Sequence, residues 1–290
     1  MEAFDYVAPR SLSEAFNALG NGKKTLLLAG GTDVIVQLRE GRRECDQLID
    51  LKHIPELMSY SFGSDGALEI GAAVPLAQLY EDPEVRRKYP ALVDCATIIG
   101  GIAIQSRATL GGNLCNASPA ADSSPALMAM SARLVIASNS GNREVACEDF
   151  FAGPGRSTLQ PGELLLSIKL PAPATESGAF YHRFIPRNEM DIAVASAGVS
   201  ITLDGSGNVT GARVALGAVS ATPIMVPGAA EALIGKPAND ESFAAAGAAA
   251  ADAASPIDDM RGGVAQRRHL SKVLTIRALE GALQRIRGNR

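Results

Sequence analysis

Apolar residues follow two different spacings along the chain, and together they predict a fold with both helices and strands. Residues 12–19 carry apolar side chains three or four positions apart, as one face of a helix does. Ser11 and Glu14 fit a capping box at the start of that helix, and Gly20 fits its end. Short apolar or alternating segments predict strands at residues 26–28, 47–51, 68–74, 134–137 and 164–170.

The last third of the chain has its own set of predicted elements. Apolar residues alternate with other residues at 199–203, which predicts a strand. A turn of Asp, Gly, Ser and Asn follows, and residues 209–219 run back as a second strand, so the sequence predicts a hairpin. An alanine-rich stretch at residues 243–254 predicts a helix, and a last helix begins at Arg267. The Pro-Ala-Pro-Ala sequence at residues 171–174 is typical of a linker and predicts a domain boundary.

The predicted strand at residues 26–28 ends in a glycine pair, Gly30 and Gly31, which Thr32 and Asp33 follow. The apolar run predicts a buried strand, and the glycines turn the chain at its carboxyl end. Because glycine has no Cβ, its backbone can take a positive φ and approach a ligand closely. Successive N–H groups in such a turn can form a concave site for an anion.

A second glycine pair, Gly111 and Gly112, lies between Thr109 and Asn113 in a polar stretch of small residues. Two glycine turns, each flanked by a threonine, suit a ligand that carries two phosphates. A surface turn before a helix is the alternative interpretation of the second pair, because a glycine pair alone is a weak signal.

Two segments near the glycine pairs carry further predictions. Ser124 followed by Pro125 predicts a helix that has Ser124 as its N-cap and runs through Ser131. The polar run at residues 37–44, which includes Arg43, is typical of a solvated face.

The chain carries none of the common signatures of a self-contained catalyst. Neither glycine pair fits Gly-x-Gly-x-x-Gly or the phosphate loop with its lysine, so the nicotinamide and nucleoside-triphosphate folds are poorly supported. No Gly-x-Ser-x-Gly elbow is present, and His53, His182 and His269 do not have metal-ligand spacing. The sequence therefore predicts no catalytic residue and no metal site in this chain.

Composition narrows the class of protein further. The 290 residues suffice for two domains, and the formal charge of −4 without a basic block argues against nucleic acid as a partner. The first residues lack the features of a secretory signal, and no apolar run approaches the length of a membrane span. The four cysteines form no Cys-x-x-Cys pair, so we expect reduced thiols in a cytoplasmic protein.

At residues 29–33, Ala-Gly-Gly-Thr-Asp, and residues 109–113, Thr-Leu-Gly-Gly-Asn, the chain resembles the FAD-binding subunits of molybdenum hydroxylases. These are the medium subunits of the carbon monoxide dehydrogenase and xanthine dehydrogenase family. The resemblance extends along essentially the whole chain. It implies an α+β protein with a p-cresol-methylhydroxylase-type FAD-binding domain of two α/β subdomains, at residues 1–173. A smaller α+β C-terminal domain then covers residues 177–288.

The resemblance also implies which residues bind FAD. Residues 26–33 line the pyrophosphate and ribityl region, and the second glycine segment holds the phosphates from the other side. Asp122 bonds to the flavin or its ribityl chain, Leu165 packs near the ring, and Arg183 supplies a basic group near the flavin. The implied set is Leu26, Leu27, Leu28, Ala29, Gly30, Gly31, Thr32, Asp33, Thr109, Gly111, Gly112, Asn113, Asp122, Leu165 and Arg183.

The function implied by the resemblance is electron transfer within a larger complex. Electrons from a molybdenum centre pass through 2Fe–2S clusters to the FAD of this chain, and from there to NAD, a quinone or oxygen. The implied partners are a small iron–sulfur subunit and a large molybdopterin subunit, assembled as a dimer of heterotrimers. Two alternatives are a self-contained FAD-dependent oxidase and a nucleotide-binding module without redox function.

Overall fold

The chain folds into an N-terminal part built on two sheets and a C-terminal part built on a third. The computed structural model describes residues 2–187 and 189–288. Helices and sheets occur together in both parts, which confirms the predicted α+β class. None of the helices within these two ranges combines the length and the hydropathy that crossing a membrane requires.

The first sheet is parallel and places the first glycine pair at its edge. Its strands are β1 (Asp5–Val7), β2 (Thr25–Leu28) and β3 (Gln47–Asp50), in the order β1-β3-β2. Helices α1 (Leu12–Leu19) and α2 (Val34–Arg39) form the crossovers that parallel strands need. Because β2 is an edge strand, Leu26 and Leu27 stay half-buried and only Leu28 is buried, so the predicted strand is confirmed but is less buried than expected.

The predicted start of α1 is confirmed, with one difference in the capping box. The Ser11 hydroxyl accepts a hydrogen bond from the Glu14 N–H at 3.2 Å. The Glu14 carboxylate accepts from the N–H of Arg10, at 2.7 Å, rather than from that of Ser11. Gly20 ends the helix, as the sequence predicts.

The second sheet is antiparallel and carries the main core of the N-terminal part. Its apolar residues and those of the surrounding helices form one buried cluster. The strands in this region are β4 (Tyr60–Phe62), β5 (Leu68–Gly71), β6 (Arg133–Ser138), β7 (Gly141–Ala146), β8 (Phe151–Gly153), β9 (Arg156–Ser157) and β10 (Leu164–Leu170). Five of them pair in the order β4-β5-β10-β6-β7, while β8 and β9 form a separate ribbon.

Seven short helices surround this sheet, and two of them differ from the sequence prediction. They are α3 (Pro55–Met58), α4 (Leu76–Glu81), α5 (Pro83–Lys88), α6 (Pro90–Ala96), α7 (Ile102–Gln105), α8 (Leu110–Asn116) and α9 (Ser123–Ala129). The second glycine pair lies inside α8 rather than in a turn. Helix α9 has Asp122, not Ser124, at its N-cap, and it ends before Ser131, whose φ is 59°.

The C-terminal part is a four-stranded antiparallel sheet covered by helices. The predicted hairpin is confirmed, and the alanine-rich stretch forms a helix. The elements are β11 (Ser177–Phe184), β12 (Ala195–Leu203), β13 (Val209–Gly217), β14 (Ile224–Met225), α10 (Pro227–Leu233), α11 (Asp240–Ala253) and α12 (Val264–Gly288). The last helix begins at Val264, three residues before the predicted start.

The two parts pack closely against each other along α9 and α6. A Cβ at Gly198 on β12 would lie 2.2 Å from the carbonyl oxygen of Pro125 on α9, so this position needs glycine for contact. On α12, Arg285 donates to both carboxylate oxygens of Asp94 on α6, at 2.7 and 2.8 Å. The C-terminal sheet therefore supports the helix that follows the second glycine pair.

Candidate functional site

The two glycine segments converge on one cavity of about 200 Å³. The cavity lies between the carboxyl end of β2 and the start of α8. Most of the residues implied by the sequence line it, including Leu165 on β10. The implied residues at the cavity are Leu26, Leu27, Ala29, Gly30, Gly31, Thr32, Asp33, Thr109, Gly111, Gly112, Asn113 and Leu165.

The first glycine segment presents backbone donors to this cavity. Gly31 has a φ of +80°, a conformation that favours glycine. A Cβ at Gly30 would lie 1.9 Å from the carbonyl oxygen of Arg107, so Gly30 is required by close backbone packing. Within the described residues, the N–H groups of residues 31–33 have no hydrogen-bond acceptor. These N–H groups are therefore available to a bound anion.

The second glycine segment opens a helix instead of forming a turn. Thr109 is the N-cap of α8, and its hydroxyl accepts the Gly112 N–H at 2.9 Å. In the described part of the chain, the N–H groups of Leu110 and Gly111 have no acceptor. The first turn of a helix leaves such donors unpaired, and because Gly111 lines the cavity, α8 offers the cavity a further donor.

The two glycines of α8 have different roles in packing. A Cβ at Gly111 would lie 2.3 Å from the carbonyl oxygen of Ala72, so a side chain there would collide with backbone. A Cβ at Gly112 would meet only the Thr109 hydroxyl oxygen, at 3.0 Å. Gly111 is therefore needed for the fold, whereas Gly112 keeps the cavity wall free of a side chain.

Residues that sequence reasoning missed connect the two segments and line the cavity. Gln37 on α2 donates from Nε2 to Oδ1 of Asn116 on α8, at 3.1 Å, which ties the two helices together. The Ser123 hydroxyl donates to Oδ1 of Asn113 at 2.6 Å and fixes that amide. Arg43 lines the cavity too, and residues 39–44 around it are exposed, as predicted for a solvated face.

Three of the implied residues do not line the cavity, namely Leu28, Asp122 and Arg183. Leu28 is buried in a small separate cluster with residues of α2 and β3. Asp122 accepts hydrogen bonds from the Tyr181 hydroxyl at 2.6 Å and from Nη1 of Arg183 at 2.7 Å. Both partners are on β11, so the structure brings Asp122 and Arg183 together at the contact between the two parts of the chain.

Burial sets the electrostatics of this contact. It raises the pKa of Asp122 to about 6, against the opposing effects of the Arg183 guanidinium and the Tyr181 hydroxyl. Burial also raises the pKa of the Tyr181 hydroxyl well above its usual value, and the nearby Asp122 carboxylate adds to the shift. At neutral pH this places an ionised carboxylate against an arginine whose side chain is only 7% exposed.

The thiol of Cys115 lies in the cavity wall and is expected to react slowly. Burial raises its pKa to about 12, so about one molecule in ten thousand is a thiolate at pH 8. We expect iodoacetamide to alkylate Cys115 in the flavin-free native chain at least about a hundredfold more slowly than free cysteine at pH 8. The rate should keep rising up to pH 10, because the thiolate is the reactive form. Peptide mass spectrometry reads the site, unfolded protein is the control, and alkylation as fast as free cysteine would contradict the expectation.

Within residues 2–187 and 189–288, no group of three or more His, Cys, Asp and Glu side chains is placed to hold a metal ion.

Two family models match the chain, one for each part. The model for the FAD binding domain in molybdopterin dehydrogenase matches residues 2–173. The model for the CO dehydrogenase flavoprotein C-terminal domain matches residues 180–282.

Known proteins resemble the chain over almost its whole length. It is 32% identical to the xanthine dehydrogenase FAD-binding subunit of Escherichia coli O157:H7 over 279 residues, which is 96% of this chain and 95% of that one. The solved carbon monoxide dehydrogenase from Hydrogenophaga pseudoflava matches with a TM-score of 0.93 at 30% identity, covering 98% of each chain. Quinoline 2-oxidoreductase from Pseudomonas putida 86 matches with a TM-score of 0.91 at 30% identity, again covering 98% of each chain.

The fold, the cavity and these matches define the class of protein. The chain belongs to the family of FAD-binding subunits, or medium chains, of molybdenum hydroxylases. This confirms the predicted family and the predicted class of oxidoreductase subunit. It also confirms the predicted fold of a FAD-binding domain followed by a flavoprotein C-terminal domain.

Proposed function

We propose that the two glycine segments bind FAD with its diphosphate between them. The observation that carries the proposal is the convergence of unpaired N–H groups from both glycine segments, at residues 31–33 and at Gly111, on one cavity. A diphosphate offers oxygen acceptors to both sets at once. The donor set therefore fits the phosphates of FAD without needing a lysine or a metal ion.

The remaining lining residues suit the rest of the cofactor. Leu26, Leu27 and Leu165 give the cavity an apolar side, while Thr32 and Asn113 add polar groups. For Asp122 and Arg183, direct contact with the flavin stays a prediction. Their mutual hydrogen bond supports a second role, which is to hold β11 against the start of α9.

The proposed role of the chain is that of an electron-transfer subunit. The chemistry that FAD supplies when bound is the transfer of electrons from iron–sulfur clusters to an external acceptor. The chain's own residues bind and orient the cofactor. We propose residues 1–173 as the FAD-binding domain, residues 177–288 as the C-terminal domain, and the cytoplasm as the location.

The same proposal requires partner subunits. We infer a small subunit with 2Fe–2S clusters and a large subunit with the molybdopterin cofactor, assembled as a dimer of heterotrimers. The relatives support this, because several are named as the medium chain or a subunit of a dehydrogenase. A permanent interface with these partners should bury about 2,000 Å² or more.

Native purification tests this function. We expect the chain to elute from size exclusion within a larger complex that contains iron, molybdenum and about one FAD per copy of this chain. The measurement combines metal analysis of the peak with flavin absorbance and subunit identification. Partner-free recombinant chain, loaded with FAD, is the control for the elution position.

Two outcomes favour the alternatives. A lone chain that oxidises an organic substrate, with neither iron nor molybdenum in the peak, would contradict the proposal and favour a self-contained oxidase. A natively purified chain without a flavin absorbance band, and unable to take up FAD, would favour a nucleotide-binding module without redox function.

A further inference from the structure

Lys52 connects the three-stranded sheet to the first glycine segment. Its Nζ donates to the carbonyl oxygen of Ala29 at 3.1 Å and to Oδ1 of Asp50 at 2.6 Å. Asp50 is the last residue of β3, and the strand register pairs it with Leu28, the last residue of β2. Because the two parallel strands end side by side, Lys52, in the turn after β3, reaches the segment that follows β2.

The lysine is itself held in place by a buried carboxylate. The Asp50 side chain is 5% exposed, and its Oδ1 accepts a second hydrogen bond from the Lys52 N–H at 3.0 Å. The Tyr6 hydroxyl donates to Oδ2. Burial opposes ionisation of this carboxyl, but the hydrogen bonds from Lys52 and Tyr6 outweigh it and hold the pKa of Asp50 below its usual range. Asp50 thus anchors Lys52 as an ionised carboxylate that accepts several hydrogen bonds.

The contact with Ala29 constrains the direction of the next peptide group. In a trans peptide the C=O and N–H bonds point in opposite directions. Since the Ala29 carbonyl points to Lys52, the N–H of Gly30 points to the opposite side. Gly31 follows with its φ of +80°, and the unpaired N–H groups of residues 31–33 come directly after it. Fixing the first peptide therefore anchors the start of the segment that carries these donors and narrows the orientations they can take.

We propose that Lys52, anchored by Asp50, is a positioning residue that holds the first glycine segment in its diphosphate-binding conformation. The inference rests on the proposed function and assigns Lys52 no direct contact with FAD. Because the Asp50 carboxylate neutralises the ammonium group, the effect comes from geometry more than from attraction between charges.

The test compares variants of the full chain, stripped of flavin and titrated with FAD by flavin fluorescence. Lys52→Met should weaken FAD binding about tenfold or more, because it removes a charge-assisted hydrogen bond that orders the loop. Lys52→Arg should recover most of the affinity. Lys23→Met is the matched control, because Lys23 pairs with Asp5 on the same sheet at an exposed site away from the cavity. It should bind FAD like the wild-type chain.

A second readout separates positioning from a loss of stability. The 31P resonances of bound FAD should shift in Lys52→Met at saturation, whereas a loss of stability alone would leave the resonances of the bound cofactor unchanged. If Lys52→Met does not fold, the double variant Asp50→Asn/Lys52→Met, which removes both charges of the ion pair together, gives the same comparison.

The outcomes are distinguishable. Wild-type affinity in Lys52→Met, or unchanged 31P resonances in that variant, would overturn the positioning role and leave the proposed function intact. A wild-type chain that takes up no FAD would overturn the proposed function itself, and this inference with it.

Discussion

Gly112→Val is expected to remove FAD from the protein while the chain still folds. The valine side chain would enter the cavity at the wall that α8 forms and displace the phosphate from nearby N–H groups. Each buried donor left unpaired costs about 1–3 kcal/mol, so binding should weaken about a hundredfold or more. The measurement is the flavin content after purification, followed by titration of the flavin-free variant with FAD.

Gly112→Ala and Gly205→Ala complete this experiment. Gly112→Ala adds only a methyl group at the cavity wall, so it should weaken FAD binding, but less than Gly112→Val does. The higher helix propensity of alanine, up to about 1 kcal/mol over glycine, offsets the close contact of the added Cβ with the Thr109 hydroxyl oxygen at 3.0 Å. Gly205 lies in a turn where an added Cβ would meet no atom within 4 Å, so Gly205→Ala should leave binding unchanged. Full flavin occupancy in Gly112→Val would contradict the proposed placement of the diphosphate.

Gly31→Val is a less informative substitution. The +80° φ of Gly31 disfavours valine, and a Cβ there would lie 2.8 Å from Cδ1 of Leu28. Loss of FAD in this variant could therefore result either from altered contacts with the cofactor or from a strained backbone, and the experiment would not separate the two.

Asp122→Ala is expected to destabilise the protein by about 3–5 kcal/mol at pH 7.5. The substitution leaves Arg183 buried without its carboxylate, and breaking one partner of a buried ion pair typically costs this much. It also removes the acceptor of the Tyr181 hydroxyl. The measurement is the free energy of unfolding in urea, followed by circular dichroism and tyrosine fluorescence, with coincidence of the two transitions as the test of two-state unfolding.

A surface pair provides the control for Asp122. Glu144 pairs with Lys169, and the two side chains are 38% and 43% exposed. Exposed pairs contribute about 0–1 kcal/mol, so Glu144→Ala should be close to wild type. If Asp122→Ala lowers the free energy of unfolding no more than Glu144→Ala does, the contact with β11 does not depend on the Asp122 carboxylate.

The cavity itself could be located from sequence because both of its segments carry local signals. An apolar run that ends in Gly30 and Gly31 predicts a strand followed by a tight turn, and the structure has both. The residues of the second segment also line the cavity, but the secondary structure predicted for them, a turn, was wrong because they begin a helix. Glycine is a poor helix former, so a glycine pair predicts a turn. Packing of Gly111 on the backbone of Ala72 is a tertiary contact that no local pattern reveals.

The residues around the cavity were harder to predict, because their partners are distant in sequence. Asp122 and Arg183 are 61 residues apart, and the contact between them depends on how the start of α9 packs against β11. Lys52 reaches Ala29 only because β2 and β3 end side by side. Residues 39–44 are exposed, as the sequence predicts, but only the fold shows that Arg43 also lines the cavity.

A crystal structure of the full chain with FAD tests the central claim most directly. We predict density for the diphosphate in the cavity, with its oxygens within hydrogen-bond distance of N–H groups at residues 31–33 and of the N–H group of Gly111. Density for FAD at another place, or a diphosphate that contacts only one of the two glycine segments, would contradict the claim.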